Sequence, residues 1–530
     1  MQRIRPASIV FAAALVAGLA SFSHAATLTW DGGASTDQWG DANNWDPNGV
    51  PVGGAGGDTA LIDTPVTIDL NGPQSARLLT FGAANVNLIN TGAGGLTLGA
   101  NDITSTPVGT GVLTRNSTSA STTISTSLTI TDVGTSGGAT LFAINGSGAF
   151  TVNAAVDFST QGVGSGSLDT TLIYNINNAT VEFNNVISGA KTYPRRLNMY
   201  TGNGGSVKFS AANTFAAPGG FYVNPSNGTF YLANNNALGA SGNVLRLGQA
   251  DSITNASATT TNVLITDTAD AIANDIGARQ HGIWVIGSDI HGTATFSGNI
   301  QVGANNNGDG VSNLPVRLTA VNADTTTIFS GDIANSGAGD LRWSPIEKIG
   351  LGKVILTGTN TYTGDTSVQA GTLQVDGAIT ASNVSVDNGA TLQGVGNITN
   401  LVTVLGDLAP GDSIGELSVG AATFGSGGTL KIELGAAGSS DLLTVIGDLD
   451  ITNAALDLTG AGDGSNYVIA SYGTLTGAAF ASVTGLPTGY AIDYGSGTNS
   501  QITLSQIPEP GTLSLLLAAG VLSAAVRRRP

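Results

Sequence analysis

Two stretches far apart in this chain share one pattern, and that pattern limits the fold more than any other feature. Gly352-Lys353-Val354-Ile355-Leu356-Thr357-Gly358-Thr359-Asn360-Thr361-Tyr362 has a partner in Gly205-Ser206-Val207-Lys208-Phe209-Ser210-Ala211-Ala212-Asn213-Thr214-Phe215. Both read G-x-V-x-[FL]-x-x-x-N-T-[FY], and each is followed by a second strand signal, at Gly371-Thr372-Leu373-Gln374-Val375 and Gly228-Thr229-Phe230-Tyr231-Leu232. Alternating apolar residues point inward from short strands, and Gly permits the turn between them. The Asn suits either a turn with local side-chain hydrogen bonds or a stack of amides between coils. Short strand signals continue to Leu458 with no room for helices between them. Strands this short bury little alone, so coils that cover one another are favoured over a sandwich.

Composition agrees. The 530 residues include 76 Gly and no Cys, and only 10% are charged, too few Lys and Glu for a helix-rich protein. The net charge is −18; setting aside the two ends leaves 13 basic against 35 acidic groups, a net of −22. Such a surface repels phosphate backbones, which argues against nucleic acid as a partner.

Both ends read as addresses. Arg3 and Arg5 precede an apolar stretch from Ile9 to Leu19, and Ser23-His24-Ala25 sets up cleavage between Ala25 and Ala26: a signal peptide over 1–25. The mature chain leaves the cytoplasm without a disulfide framework. At the other end Pro508-Glu509-Pro510 is followed by an apolar run over 513–526 and by Arg527, Arg528 and Arg529. As a helix that run reaches about 21 Å, short of the ~30 Å hydrocarbon core, so it predicts a transient membrane insertion with the arginines on the cytoplasmic side. This order of parts resembles the PEP-CTERM sorting tail. The resemblance implies processing by an exosortase, with the cell envelope, outer surface or extracellular space as destination.

A second resemblance covers about 327–475: the segment 348–376 is similar to the autotransporter-associated β-strand repeat, and Leu408-Ala409-Pro410-Gly411-Asp412-Ser413 to the stretch that follows it in passenger β-helices. It implies an all-β chain, a right-handed parallel β-helix (a β-solenoid of the passenger or pectin-lyase-like kind), between an N-terminal signal helix and a short C-terminal transmembrane helix. No amphipathic barrel strands follow, so the passenger architecture is implied without autotransporter secretion. The expected division is 1–25 signal peptide, 26–90 N-terminal cap, 91–475 body with repeat-like segments 204–239 and 348–376, 476–506 C-terminal strands and linker, and 507–530 sorting tail. Gly205, Asn213, Phe215, Gly228, Gly352, Asn360, Tyr362 and Gly371 are its structural repeat residues.

Chemistry is sparse. Trp30, Trp39 and Trp45 fall within 16 positions; they suit a bulky cap over an open solenoid end and, as a second reading, a glycan platform. Gly134-Thr135-Ser136-Gly137-Gly138 fits a nucleophile elbow without the strand-to-helix context. His281 and His291 are the only histidines of the mature chain, a poor basis for a triad or a metal site. Gly53 to Asp58 begins a calcium-binding nonapeptide that stands alone. Asn305, Asn307, Asp309 and Gly310 imitate an EF-hand loop that ends on Val316 instead of a carboxylate. Asp448, Asp450 and Asp457 are the carboxylates to test for a glycosidase or lyase, and no base or cation accompanies them. The expectation is a non-catalytic surface or matrix protein without metal or cofactor, structural or adhesive, with exopolysaccharide or a cell surface as partner. The alternative is a carbohydrate-active β-helix enzyme or a glycan-binding module.

Overall fold

The computed structural model describes residues 25–82, 85–99, 111–116, 119–131, 140–158, 170–175, 178–189, 197–202, 204–217, 220–248, 261–279, 282–304, 314–336, 344–495 and 500–507. Residues 1–24 of the expected signal peptide and the sorting tail from Pro508 lie outside them. Among the described residues no helix is long and apolar enough to cross a membrane, and the two helical turns are 3-10 segments of three residues each.

The described chain is a parallel β-helix in which each coil lays one short strand on each of three faces. The first face runs from Thr27–Trp30 through Thr59–Ile62 and Leu78–Phe81 to Ile333–Asn335. Beyond it Thr361 N–H donates to the Ile333 carbonyl (2.8 Å), and the face continues through Ala378–Ile379 toward Tyr467–Ser471. The third face holds two sheets, Gln74–Ala76 to Ile187–Ser188 and Gly292–Phe296 to Ser482–Thr484. The second face is an unbroken parallel ladder from Val66–Asp69 to Thr474–Thr476. Its sixteen steps, at ~4.8 Å each, make a rod on the order of 77 Å long. The pairing crosses residue 90 without a break.

The core follows from the alternation. Ile68, Leu88, Ile124, Val152, Phe183, Phe209 and Leu232 stand in register up the second face and are all buried. Each coil thus covers the apolar side of its neighbour, worth ~1.5–3 kcal/mol per large side chain. Edge-to-face packing of Phe183 on Phe209 (5.7 Å) and Phe209 on Phe230 (5.2 Å) ties three coils together.

Both ends of the rod close with antiparallel pairing, which blunts an otherwise bare sheet edge. At the N-terminal end Thr27–Trp30 pairs with Trp45–Asp46. At the C-terminal end Gln501–Gln506 pairs with Tyr467–Ser471 and with Tyr490–Asp493.

Candidate functional site

The repeat Asn does the same work in both repeats. Asn213 accepts from Ile187 N–H (2.8 Å) on the coil below and donates to the Ala237 carbonyl (2.7 Å) on the coil above. Asn360 accepts from Ile333 N–H (3.1 Å) and donates to the Ala378 carbonyl (2.9 Å). Both are buried, so each amide staples three coils where a strand turns a corner. Asn360 also donates to the Gly358 carbonyl (3.2 Å), a local turn bond as one sequence reading had it, and both amides add main-chain partners on neighbouring coils in place of an amide stack. Phe215 and Tyr362, two positions on, are fully buried. Gly352 is required by space: a Cβ there would stand 2.3 Å from the Thr325 carbonyl oxygen. Gly371 has φ +61°, and its missing side chain leaves room for the Lys348 ammonium. Gly205 and Gly228 carry carbonyls that accept from Thr229 and Val263 N–H.

The tryptophans correct one expectation. Trp30, Trp39 and Trp45 are 2%, 0% and 0% exposed. Trp45 packs edge-on against both others at 5.2 and 4.8 Å, and its indole N–H donates to the Trp39 carbonyl (2.9 Å). No ring face is open to a sugar, so the glycan-contact reading fails and the cluster lies in the core at the N-terminal end. Just ahead of it, Ala26 N–H donates to Asp58 (3.2 Å) and its carbonyl accepts from Thr59. The same Asp58 accepts from Val52 N–H (3.3 Å); in the Gly53–Asp58 stretch its carboxylate holds backbone.

Two cations were invisible to sequence reasoning because they occupy inward strand positions. Arg115 stands in register with Phe81 and Ile144. Its guanidinium is fully buried and donates to the carbonyls of Gly148 (2.6 Å), Ala149 (2.9 Å) and Gly146 (3.0 Å); burial lowers its pKa to about 10. Lys348 stands between Leu318 and Val368 and donates to the Gly350 (2.8 Å) and Ala370 (2.7 Å) carbonyls. Burial lowers its pKa to about 8. The alternation in Leu113-Thr114-Arg115 and Ile346-Glu347-Lys348 was the available signal.

One polar cleft of about 270 Å³ opens on the third face, with Ala409, Pro410 and Gly411 among its lining residues. Lys353 and Gln393 both donate to Asp412 Oδ1 (2.8 Å each) on one side. Lys431, Glu433, Asp441, Asp457 and Thr459 line the rest. Asp441 accepts from Gly415 N–H (3.0 Å) and Glu433 N–H (2.8 Å), joining the loop after Gly411 to the strand Thr429–Glu433. Burial pushes its carboxyl up to about 6 against the pull of those two donors. These residues span more than a hundred positions, so only the stacking of coils brings them together.

Two family matches bracket this region. The Passenger-associated-transport-repeat matches residues 346–375, and the PEP-CTERM protein-sorting motif matches residues 506–529. This chain is a parallel β-helix that carries a passenger-associated transport repeat and a PEP-CTERM sorting motif. The chain is similar to an extracellular serine protease of Serratia marcescens, 38% identical over 115 residues, covering 21% of this chain and 10% of that protein. It is also similar to the adhesin BmaC autotransporter of Brucella suis biovar 1, 31% identical over 138 residues, covering 25% of this chain and 4% of that one. The chain thus spans a tenth or less of either relative's length. The sorting motif and the autotransporter-type relatives mark an exported protein that reaches the cell surface or the extracellular space, and the motif implies processing by an exosortase.

The remaining candidates are dispersed. In the passenger rod Asp448 and Asp450 sit on the second face and Asp457 on the third. Asp450 accepts from Thr452 (2.9 and 2.6 Å) and Asp457 from Thr484 (2.7 Å). His291 pairs with Asp324 (2.8 Å) at an exposed turn. Among the described residues no cluster of three His, Cys, Asp or Glu is placed to hold a metal. His281, the serine of 134–138, the EF-hand-like 305–310 and the sorting residues Pro508, Glu509, Pro510, Arg527, Arg528 and Arg529 lie outside the described residues. The last described contact before them is Ile507 N–H to the Gly489 carbonyl (2.6 Å), so the sorting motif leaves directly from the C-terminal cap.

Proposed function

We propose that the passenger rod is a non-catalytic matrix protein, structural or adhesive, which associates with exopolysaccharide at the cell surface after exosortase processing at Pro508-Glu509-Pro510. The observation that carries this reading is the unbroken second-face ladder from Val66 to Thr476, closed at both ends and joined without a linker to the sorting motif. Such an element acts as a stiff spacer. The carboxylates around the cleft support a structural role: Asp412 is held by Lys353 and Gln393, Asp441 by two backbone donors and Asp457 by Thr484. A glycosidase needs two carboxyl groups facing one bond, and these three are turned to other partners.

The test is to incubate the exported protein with the exopolysaccharide of its own producer, following co-sedimentation and the release of reducing or unsaturated ends. Binding without release is expected. Release of new ends would replace the reading by the enzymatic one, and a tail still attached to the extracellular form would remove its sorting part.

A further inference from the structure

The third-face cleft has the lining of a ligand site. Gln374, Gln393 and Ala409 stand in register on successive coils, followed by Lys431 and Asp457. The small Ala409 leaves a gap in this outward column between long polar side chains. The gap is pre-formed: Asp441 fixes the loop after Gly411, and Lys353 and Gln393 hold Asp412 at its edge. At about 270 Å³ it lies just below the ~300–1,000 Å³ of drug-sized pockets. That suits one small polar unit.

The lining specifies the chemistry. Beyond the partners they already hold (Asp412 for Lys353 and Gln393, Asp407 for Lys431 at 2.7 Å), the ammonium groups, amide and hydroxyls keep protons to donate and the carboxylates keep lone pairs to accept, and no aromatic ring is present. Rows of both kinds suit a ligand with many hydroxyl groups, each of which donates and accepts. Charge narrows the choice further: a net of −22 over the body repels a polyanion, while a polycation would be drawn to the whole rod and not to this cleft.

We propose that this cleft binds one sugar unit of an uncharged polysaccharide, a site that gives the adhesive reading its ligand class and rests on it. Contacts with one sugar are weak, and attachment comes from many rods on one polymer.

The test is electrophoresis of the exported protein through native gels containing dextran, mannan or a mixed-linkage β-glucan, beside a polygalacturonate gel and a plain one. Slowing is expected in at least one neutral-glycan gel and not in polygalacturonate. Ala409→Phe, an outward substitution that fills the gap, abolishes the slowing, and Ala409→Ser retains it. Slowing that persists in A409F places the glycan elsewhere and overturns the site while leaving the adhesive reading standing. Absence of slowing in all three neutral gels overturns the neutral-glycan assignment, and binding of the producer's exopolysaccharide in the co-sedimentation assay then decides the adhesive reading separately.

Discussion

The coils between Val66 and Lys348 and those between Lys348 and Phe424 have the same core and different outlines. By second-face register the first group takes 20 to 36 residues per coil, whereas the second takes 18 to 20. The surplus is not spread evenly. Between 99 and 345 ten connections of 8 to 14 residues join the described first-face strands to their neighbours, while those from the second face to a third-face strand keep three or four. Coils touch closely at that corner, where a Cβ on Gly352 or Gly406 would stand 2.3 Å from a carbonyl oxygen of the coil beneath, and they do so at the short connections elsewhere, as at Gly148 (1.9 Å) and Gly331 (2.2 Å). Insertions accumulate at the edges of the first face, and the inward ladder does not register them.

If the core is shared, truncating it hurts most. Phe209→Ala should lower unfolding free energy by ~3–5 kcal/mol in urea titrations; a loss below 1 kcal/mol would mean that the aromatic column of the irregular coils is not their core. The Asn staple comes next. Asn213→Ala and Asn360→Ala each orphan a buried N–H and a buried carbonyl, an expected loss of ~2–4 kcal/mol, and unequal losses would show that the staple differs between the two groups of coils.

Lys348 sits where one group gives way to the other. Its folded pKa of about 8 lies below the ordinary 10.5, so the unfolded chain binds the proton more tightly between those values. Stability therefore rises as pH climbs from 8 to 10.5, by ~2–3 kcal/mol, and Lys348→Met should flatten that rise in pH-resolved denaturation. Asp441 runs the same logic at lower pH. Its folded pKa of about 6 exceeds 3.8, so stability falls as pH rises from 4 to 6, by ~2 kcal/mol. An unchanged slope in Asp441→Asn would dismiss this residue as its source. The smallest effect belongs to the outline. Shortening the connection over 305–315 to four residues should change stability by less than ~0.5 kcal/mol, whereas ten residues inserted at Asn388 should cost several times more; equal effects would erase the distinction between corners.

Much of this architecture was legible in the chain. Val207, Phe209, Val354 and Leu356 announce inward strand positions by alternation alone, and the G-x-V-x-[FL]-x-x-x-N-T-[FY] pattern located two equivalent corners. The ends needed no fold: signal peptide and sorting tail are read as linear order. Other features were hidden. Arg115 and Lys348 obey the same alternation, yet a charge in the core is credible only once carbonyls of the turns are seen to converge on it. The three tryptophans left cap and sugar platform both open until their burial closed the question.

The sequence by itself determined what each residue does within its own strand: which side faces inward, where a glycine lets the chain turn, and which segments serve as addresses. Only the tertiary structure decided what meets across coils: the partners of Asn213 and Asn360, the corner that accepts insertions, and the cleft assembled from Lys353 to Thr459. The reason is physical. Alternation is a property of neighbours along the chain, whereas these contacts depend on a stacking register that brings together residues 18 to 36 positions apart.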